Sequence, residues 1–94
     1  MTVQHVPGKK VGDIMLYALS TCGWCRKTRD LLQELGVDYS YEYVDLLQCP
    51  RRQEVLKTIA RWNQSGSFPT IVLNNKKCIV GYNPDAIKQE LAGG

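Results

Sequence analysis

The chain has 94 residues, 44% hydrophobic and 22% charged, and its 12 basic and 9 acidic side chains leave a net charge of +3. This suffices for one small core but not two, and the balance is that of a globular domain, not a disordered or fibrous chain. No apolar run nears the roughly 20 residues that span a bilayer, and the basic pairs such as Arg26-Lys27 and Arg51-Arg52 are scattered, so neither a membrane nor a nucleic-acid partner is expected.

Residues 1–12 show no periodicity, contain Pro7, Gly8 and Gly12, and lack the apolar stretch of a signal peptide. They are expected to form a flexible extension before a single domain over 13–94, with the cytoplasm as the expected location. His5 in this segment reads as a solvated histidine. Residues 13–19 are nearly all apolar, as befits a central strand covered on both faces. Ser20-Thr21-Cys22-Gly23-Trp24-Cys25 follows, where the strand period gives way to a helical one.

On the predicted helix, Thr28, Leu31, Leu32 and Leu35 share one face, and Gly36 is placed to stop it. Cys22 then falls beside N–H groups that have no partner within the helix, and these, with the helix dipole, favour a thiolate. Arg26, Lys27 and Arg29 are unfavourable charges for a helix start, and they fit better next to an anion such as Cys22. Residues 37–44 alternate Tyr39, Tyr41 and Tyr43 with Ser40, Glu42 and Val44, the pattern of a second strand whose tyrosines pack. A short helix between these strands implies a right-handed crossover and a parallel pair.

Residues 45–49 read as a loop, Pro50 as the first helical position, and residues 51–62 as a second amphipathic helix with Val55, Leu56, Ile59 and Trp62 or Asn63 inward. The stretch 63–67 breaks it. Phe68-Pro69 opens a third strand through Leu73, Asn74-Asn75 turns the chain, and residues 77–80 return as a hairpin strand. Asn83 as cap and Pro84 as first position start a last helix over 85–91, and Gly93-Gly94 frays. The order β-α-β-α-β-β-α makes this an α/β chain of thioredoxin-like architecture: a four-stranded mixed sheet with three helices.

Of the four cysteines, Cys22 and Cys25 are close and Cys49 and Cys78 isolated. A C-x-x-C at a strand-to-helix junction reads as a redox pair. A structural zinc site wants a second C-x-x-C or an H-x(3–5)-H pair, which Cys49, Cys78 and His5 do not supply, so no metal is expected. Cys49, ahead of Pro50, Arg51 and Arg52, is a candidate third redox cysteine whose plainer reading is an inert thiol. Cys78 reads as a small core residue.

Tyr17, the run Thr21-Cys22-Gly23-Trp24-Cys25, then Phe68-Pro69, then Gly81-Tyr82-Asn83-Pro84-Asp85 together resemble the glutaredoxin family, over roughly residues 13–91. The resemblance implies a thiol–disulfide oxidoreductase in which Cys22 attacks and Cys25 resolves. It also implies a cis bond before Pro69 and a substrate site drawn from Thr21, Trp24, Phe68, Pro69, Gly81, Tyr82 and Asn83. The substrate would be a disulfide-bearing protein or small thiol, met by a monomer that needs no resident cofactor. The chain departs from the family at Gly23-Trp24, where Pro-Tyr is common, and at Leu19 and Asn83, where glutathione-using members carry charged contacts. These departures argue against glutathione as reductant and leave a flavoprotein or ferredoxin-linked reductase, or another thiol, as donor. Gly23 alone suggests a different class, an iron–sulfur module in which Cys22 from two subunits and bound small thiols hold a [2Fe–2S] cluster.

Overall fold

The computed structural model describes residues 3–64 and 66–92, so the predicted fraying at Gly93-Gly94 lies outside the described residues. The elements are β1 (Gln4–Val6), β2 (Ile14–Ala18), α1 (Gly23–Glu34), β3 (Tyr39–Tyr43), a 3-10 turn (Val44–Leu46), α2 (Arg51–Trp62), β4 (Thr70–Leu73), β5 (Lys77–Val80) and α3 (Pro84–Ala92). The strands form one sheet in the order β1-β3-β2-β4-β5, with β2 and β3 parallel and the other pairs antiparallel. The α/β thioredoxin-like expectation is met.

The alternation of side chains along the central strands decides which helix covers which face. Ile14, Leu16 and Ala18 of β2, with Ile71 and Leu73 of β4, pack with Cys25, Leu31 and Leu32 of α1 and with Ile87 and Leu91 of α3. Tyr17 and Val72 point to the other face, where Val44, Leu47, Val55 and Ile59 close over them. Strand β2 is thus covered on both sides, and the chain turns to solvent just past its carboxyl end, at Leu19 and Ser20. In open α/β sheets that is where chemistry collects.

The sheet has five strands, not the four expected. Residues 4–6 are too short and too polar to announce a strand, and backbone pairing makes them one: Gln4, His5 and Val6 lie opposite Tyr41, Ser40 and Tyr39. His5 Nε2 lies 2.8 Å from Asp38 Oδ1, so this histidine has a partner. Lys9 N–H donates to Gly36 O (2.8 Å) and accepts at its own carbonyl from Asp38 N–H (2.9 Å). Gly8 is required there, since a Cβ would stand 2.6 Å from the carbonyl carbon of Val37.

Smaller differences have equally local causes. Residues 44–46, read as loop, form a 3-10 turn because buried Val44 and Leu47 anchor both its ends. Pro50 caps α2 from outside, and Arg51 is the first helical residue. The predicted turn at Asn74-Asn75 is observed, with φ of 53° and 54°, a backbone that asparagine tolerates. Cys78 is half-buried, and its thiol donates to Trp62 O at 3.1 Å.

Glu42 of β3 has a side chain with no exposed surface, and Arg51 meets it through Nη2 (3.1 Å) and Nε (3.3 Å). The pair fastens the start of α2 to the sheet. Removing one partner of a buried charge leaves the other poorly compensated, while an exposed cation costs little. Arg51→Ala is therefore expected to lower unfolding free energy by about 1.5–3 kcal/mol in urea titration. Arg52→Ala, one position on, is expected to change it by less than about 0.5 kcal/mol.

Candidate active site

The junction of β2 and α1 places the two cysteines differently. Cys22 caps α1: its backbone is extended (φ −91°, ψ 118°) and its Sγ accepts from Cys25 N–H at 3.2 Å. Arg26 N–H donates to Cys22 O at 3.1 Å, the first turn of the helix ladder. Gly23 and Trp24 follow within that turn, so Cys25 lands one turn inward. Cys22 remains partly open, whereas Cys25 is 1% exposed and packed into the core.

One residue's backbone meets both cysteines. Cys22 N–H donates to Leu19 O at 3.3 Å, and Leu19 N–H donates to Cys25 Sγ at 3.5 Å. Burial, and next the hydrogen bond with Cys22, push the Cys25 thiol up to about 12. The inner sulfur is therefore a protonated thiol at neutral pH, able to donate toward the outer one. Such a pair can carry out exchange at one sulfur while holding a second in reserve.

Two hollows flank the pair. One, of about 270 Å³, is lined by Trp24, Phe68, Gly81 and Tyr82. Trp24 is 57% exposed. Its ring stacks on Tyr82 with centroids 5.7 Å apart at 27°, and Lys27 Nζ sits 4.7 Å from the Trp24 ring centre. The other, about 410 Å³, is lined by Cys22 with Leu19, Ser20, Arg26, Arg29 and Tyr43 among others. A further hollow of about 390 Å³ lies beside the start of β2, near Met15 and Trp62, away from the cysteines.

The remaining expected site residues sort plainly. The Phe68–Pro69 bond is cis, as expected. Pro69 is buried, and its carbonyl accepts from Gly81 N–H at 2.8 Å. Gly81 has φ 80°, which an L side chain adopts only with strain. Thr21 is exposed and lines neither hollow beside the cysteines. Asn83 is turned to its own helix, where Oδ1 accepts from Ala86 N–H at 3.2 Å. Cys49 is exposed, and its bond to Pro50 is also cis.

Sequence reasoning missed two arrangements. Arg29, half-buried, donates to Tyr43 OH (2.7 Å) and Tyr39 OH (3.4 Å) and lies 3.9 Å from the Tyr41 ring centre. The alternating tyrosines are its cradle, and a cation one helix before a tyrosine ladder was the available signal. Asp45 accepts from Ser20 N–H (2.8 Å) and Ser20 Oγ (2.5 Å), which, with the Oγ bond the leading cause, holds its carboxyl below the usual range. Nothing in the sequence near Asp45 marks that contact.

A thioredoxin-like sheet bearing a half-open and a buried cysteine at a helix start defines the class of thiol–disulfide exchange proteins. The chain belongs to the glutaredoxin family, whose sequence profile it matches over residues 14–79. It is similar to the Methanosarcina acetivorans methanoredoxin crystal structure, with 46% identity, 89% of this chain and 88% of that one covered, and a TM-score of 0.87. The glutaredoxin from Methanosarcina mazei Go1 is 43% identical, with 97% and 88% covered and a TM-score of 0.90. Among curated proteins, the gene 56 protein of Mycobacterium phage D29 is 26% identical over 76 residues, 81% of this chain and 79% of its own length.

Burial fixes a pH expectation. Below the ordinary thiol value of about 9 both folded and unfolded chains keep Cys25 protonated; between there and about 12 only the folded chain does. Its stabilising preference for the thiol is thus present below the first value and lost as pH rises through the second. In Cys22→Ser protein, iodoacetamide labelling of Cys25 is expected to stay slow at a pH where labelling of the urea-unfolded chain is complete. Mass spectrometry of the labelled peptide checks it.

Proposed function

We propose that the chain is a dithiol oxidoreductase that reduces disulfides of proteins or small thiols in a cytoplasmic, reducing setting. The observation that carries this reading is the unequal burial of Cys22 and Cys25 within one helical turn. The Cys22 thiolate attacks a substrate disulfide, forming a mixed disulfide and releasing one half as a thiolate, which takes up a proton. Cys25 then gives up its proton and attacks Cys22 Sγ. A Cys22–Cys25 disulfide forms and the second half leaves as a thiol. Two electrons pass from the protein to the substrate, and a donor must return them.

The exposed shelf of Trp24 and Tyr82, with Phe68 behind it, supports a protein or peptide substrate that offers an apolar group beside its disulfide. Leu19 and Asn83 bear on the donor. The Leu19 side chain packs against both cores, and the Asn83 side chain is occupied as a helix cap. Neither presents a charge to a glutathione carboxylate. A flavoprotein or ferredoxin-linked reductase, or a thiol other than glutathione, fits the surroundings better, and the chain is proposed to work as a monomer.

Trapping tests the mechanism. Cys22→Ser is expected to abolish disulfide reduction, and Cys25→Ser to accumulate a mixed disulfide on Cys22, read by intact mass. Activity surviving in Cys22→Ser overturns the assignment. With glutathione and its reductase as donor, turnover of a small disulfide is expected to be at least about ten-fold slower than with the preferred donor, a loss equal to one charged contact.

The space around Gly23 allows a further test. A Cβ there meets nothing within 4 Å, and the residue is the first of α1, where proline is well tolerated. Gly23→Pro is expected to fold normally, with thermal stability unchanged or raised by up to about 1 kcal/mol. The local packing therefore does not dictate glycine between these cysteines.

A further inference from the structure

The mechanism leaves Asp45 unused, although it touches the machinery at one remove. It sits in the middle of the 3-10 turn Val44–Leu46, exposed, between two residues sunk into the α2-side core. That anchoring makes the turn a firm base. From it the carboxylate takes two hydrogen bonds from one residue, Ser20 N–H at 2.8 Å and Ser20 Oγ at 2.5 Å. Ser20 is joined to Leu19, whose carbonyl holds Cys22 N–H and whose N–H points at Cys25 Sγ. Hydrogen bonds and the Leu19–Ser20 backbone thus join the end of β3 to the Cys22 N–H and to the Cys25 sulfur.

We infer that Asp45 is a positioning residue for the resolving step, bracing the Leu19–Ser20 peptide so that Cys25 stays aligned on Cys22. The inference rests on the dithiol reading above. Its physical logic is that the second step is intramolecular and runs over a short distance. Its rate then depends on how tightly two sulfurs are held, and small misplacements cost much. The attack on substrate by the half-open Cys22 depends less on the brace, because the substrate can adjust.

The brace and the charge of Asp45 act on Cys25 in opposite senses. The Leu19 N–H, on the residue next to the braced Ser20, favours the Cys25 thiolate, whereas the carboxylate charge disfavours it. Cys22 is the other ionisable group acting on Cys25, and Arg52 of α2 is the cation acting on Asp45. Asp45→Ala removes brace and charge together. Asp45→Asn keeps an oxygen for Ser20 N–H and an amide that can donate to Ser20 Oγ, and removes only the charge.

The test uses the reduced chain carrying Cys49→Ser and Cys78→Ser, so that Cys22 and Cys25 are its remaining thiols, with Ellman's reagent in a stopped-flow spectrometer. Cys22 attacks the reagent and releases one thionitrobenzoate, leaving the other bound as a mixed disulfide; Cys25 then displaces the second. The first phase scales with reagent concentration and the second does not. Asp45→Ala is expected to slow the second phase by about ten-fold or more, the worth of a charge-assisted hydrogen bond. Asp45→Asn is expected to restore it and to move its pH profile to lower pH, a shift that a merely structural residue would not produce. A second phase at the wild-type rate in Asp45→Ala, or equal slowing in both variants, overturns the inference. Should Asp45→Ala fail to fold, the pH profile of Asp45→Asn decides: a downward shift supports the inference, and an unmoved profile overturns it. If the Cys49→Ser, Cys78→Ser protein with Asp45 intact releases only one thionitrobenzoate, the dithiol reading itself is overturned, whatever Asp45 does.

Discussion

The backbone of Leu19 is the constraint on which the site depends. It ends the central strand and begins the approach to α1, and it spends both its polar groups on the cysteines: the carbonyl on Cys22 N–H, the N–H on Cys25 Sγ. A buried sulfur and a helix start each need partners, and one residue's backbone supplies both. Its position follows from the apolar run of β2. Because α1 and α3 cover one face of that strand and α2 the other, the strand is buried up to Ala18 and the chain emerges just beyond it.

From that junction the two sulfurs acquire different lives. The helical turn carries Cys25 inward, where burial holds its proton, and leaves Cys22 at the cap, with a backbone N–H directed at its sulfur. The surroundings are also unequal. On one side an aromatic shelf of Trp24 and Tyr82 offers apolar contact; on the other, Arg26 and Arg29 line a polar hollow with Cys22 itself. Arg29 is fixed there by three tyrosines of β3, so a cation that a helix start would not choose is held by the sheet instead.

Much of this was legible in the sequence because the signals are local. The apolar run of β2, the 3.6-residue face of Thr28, Leu31 and Leu32, and the Asn83-Pro84 start of α3 each follow from neighbours in the chain, and the structure has them in place. The cysteine spacing marked the site for the same reason. What escaped is made by contacts distant in sequence. Strand β1 exists through pairing with β3 some thirty-five residues on, the Arg29 cradle joins α1 to β3, and the Asp45–Ser20 bond spans two elements. Asn83 illustrates the intermediate case: the resemblance offered it to a substrate, while the helix-cap pattern is what the structure displays.

In the proposed mechanism Cys22 and Cys25 form one redox unit while Cys49 and Cys78 stand apart. The most direct measurement is peptide mapping by tandem mass spectrometry after mild oxidation of the whole protein. The predicted result is a single intramolecular bridge between Cys22 and Cys25, with Cys49 and Cys78 recovered as thiols. A bridge that includes Cys49, or a Cys22 left reduced while other cysteines oxidise, contradicts it.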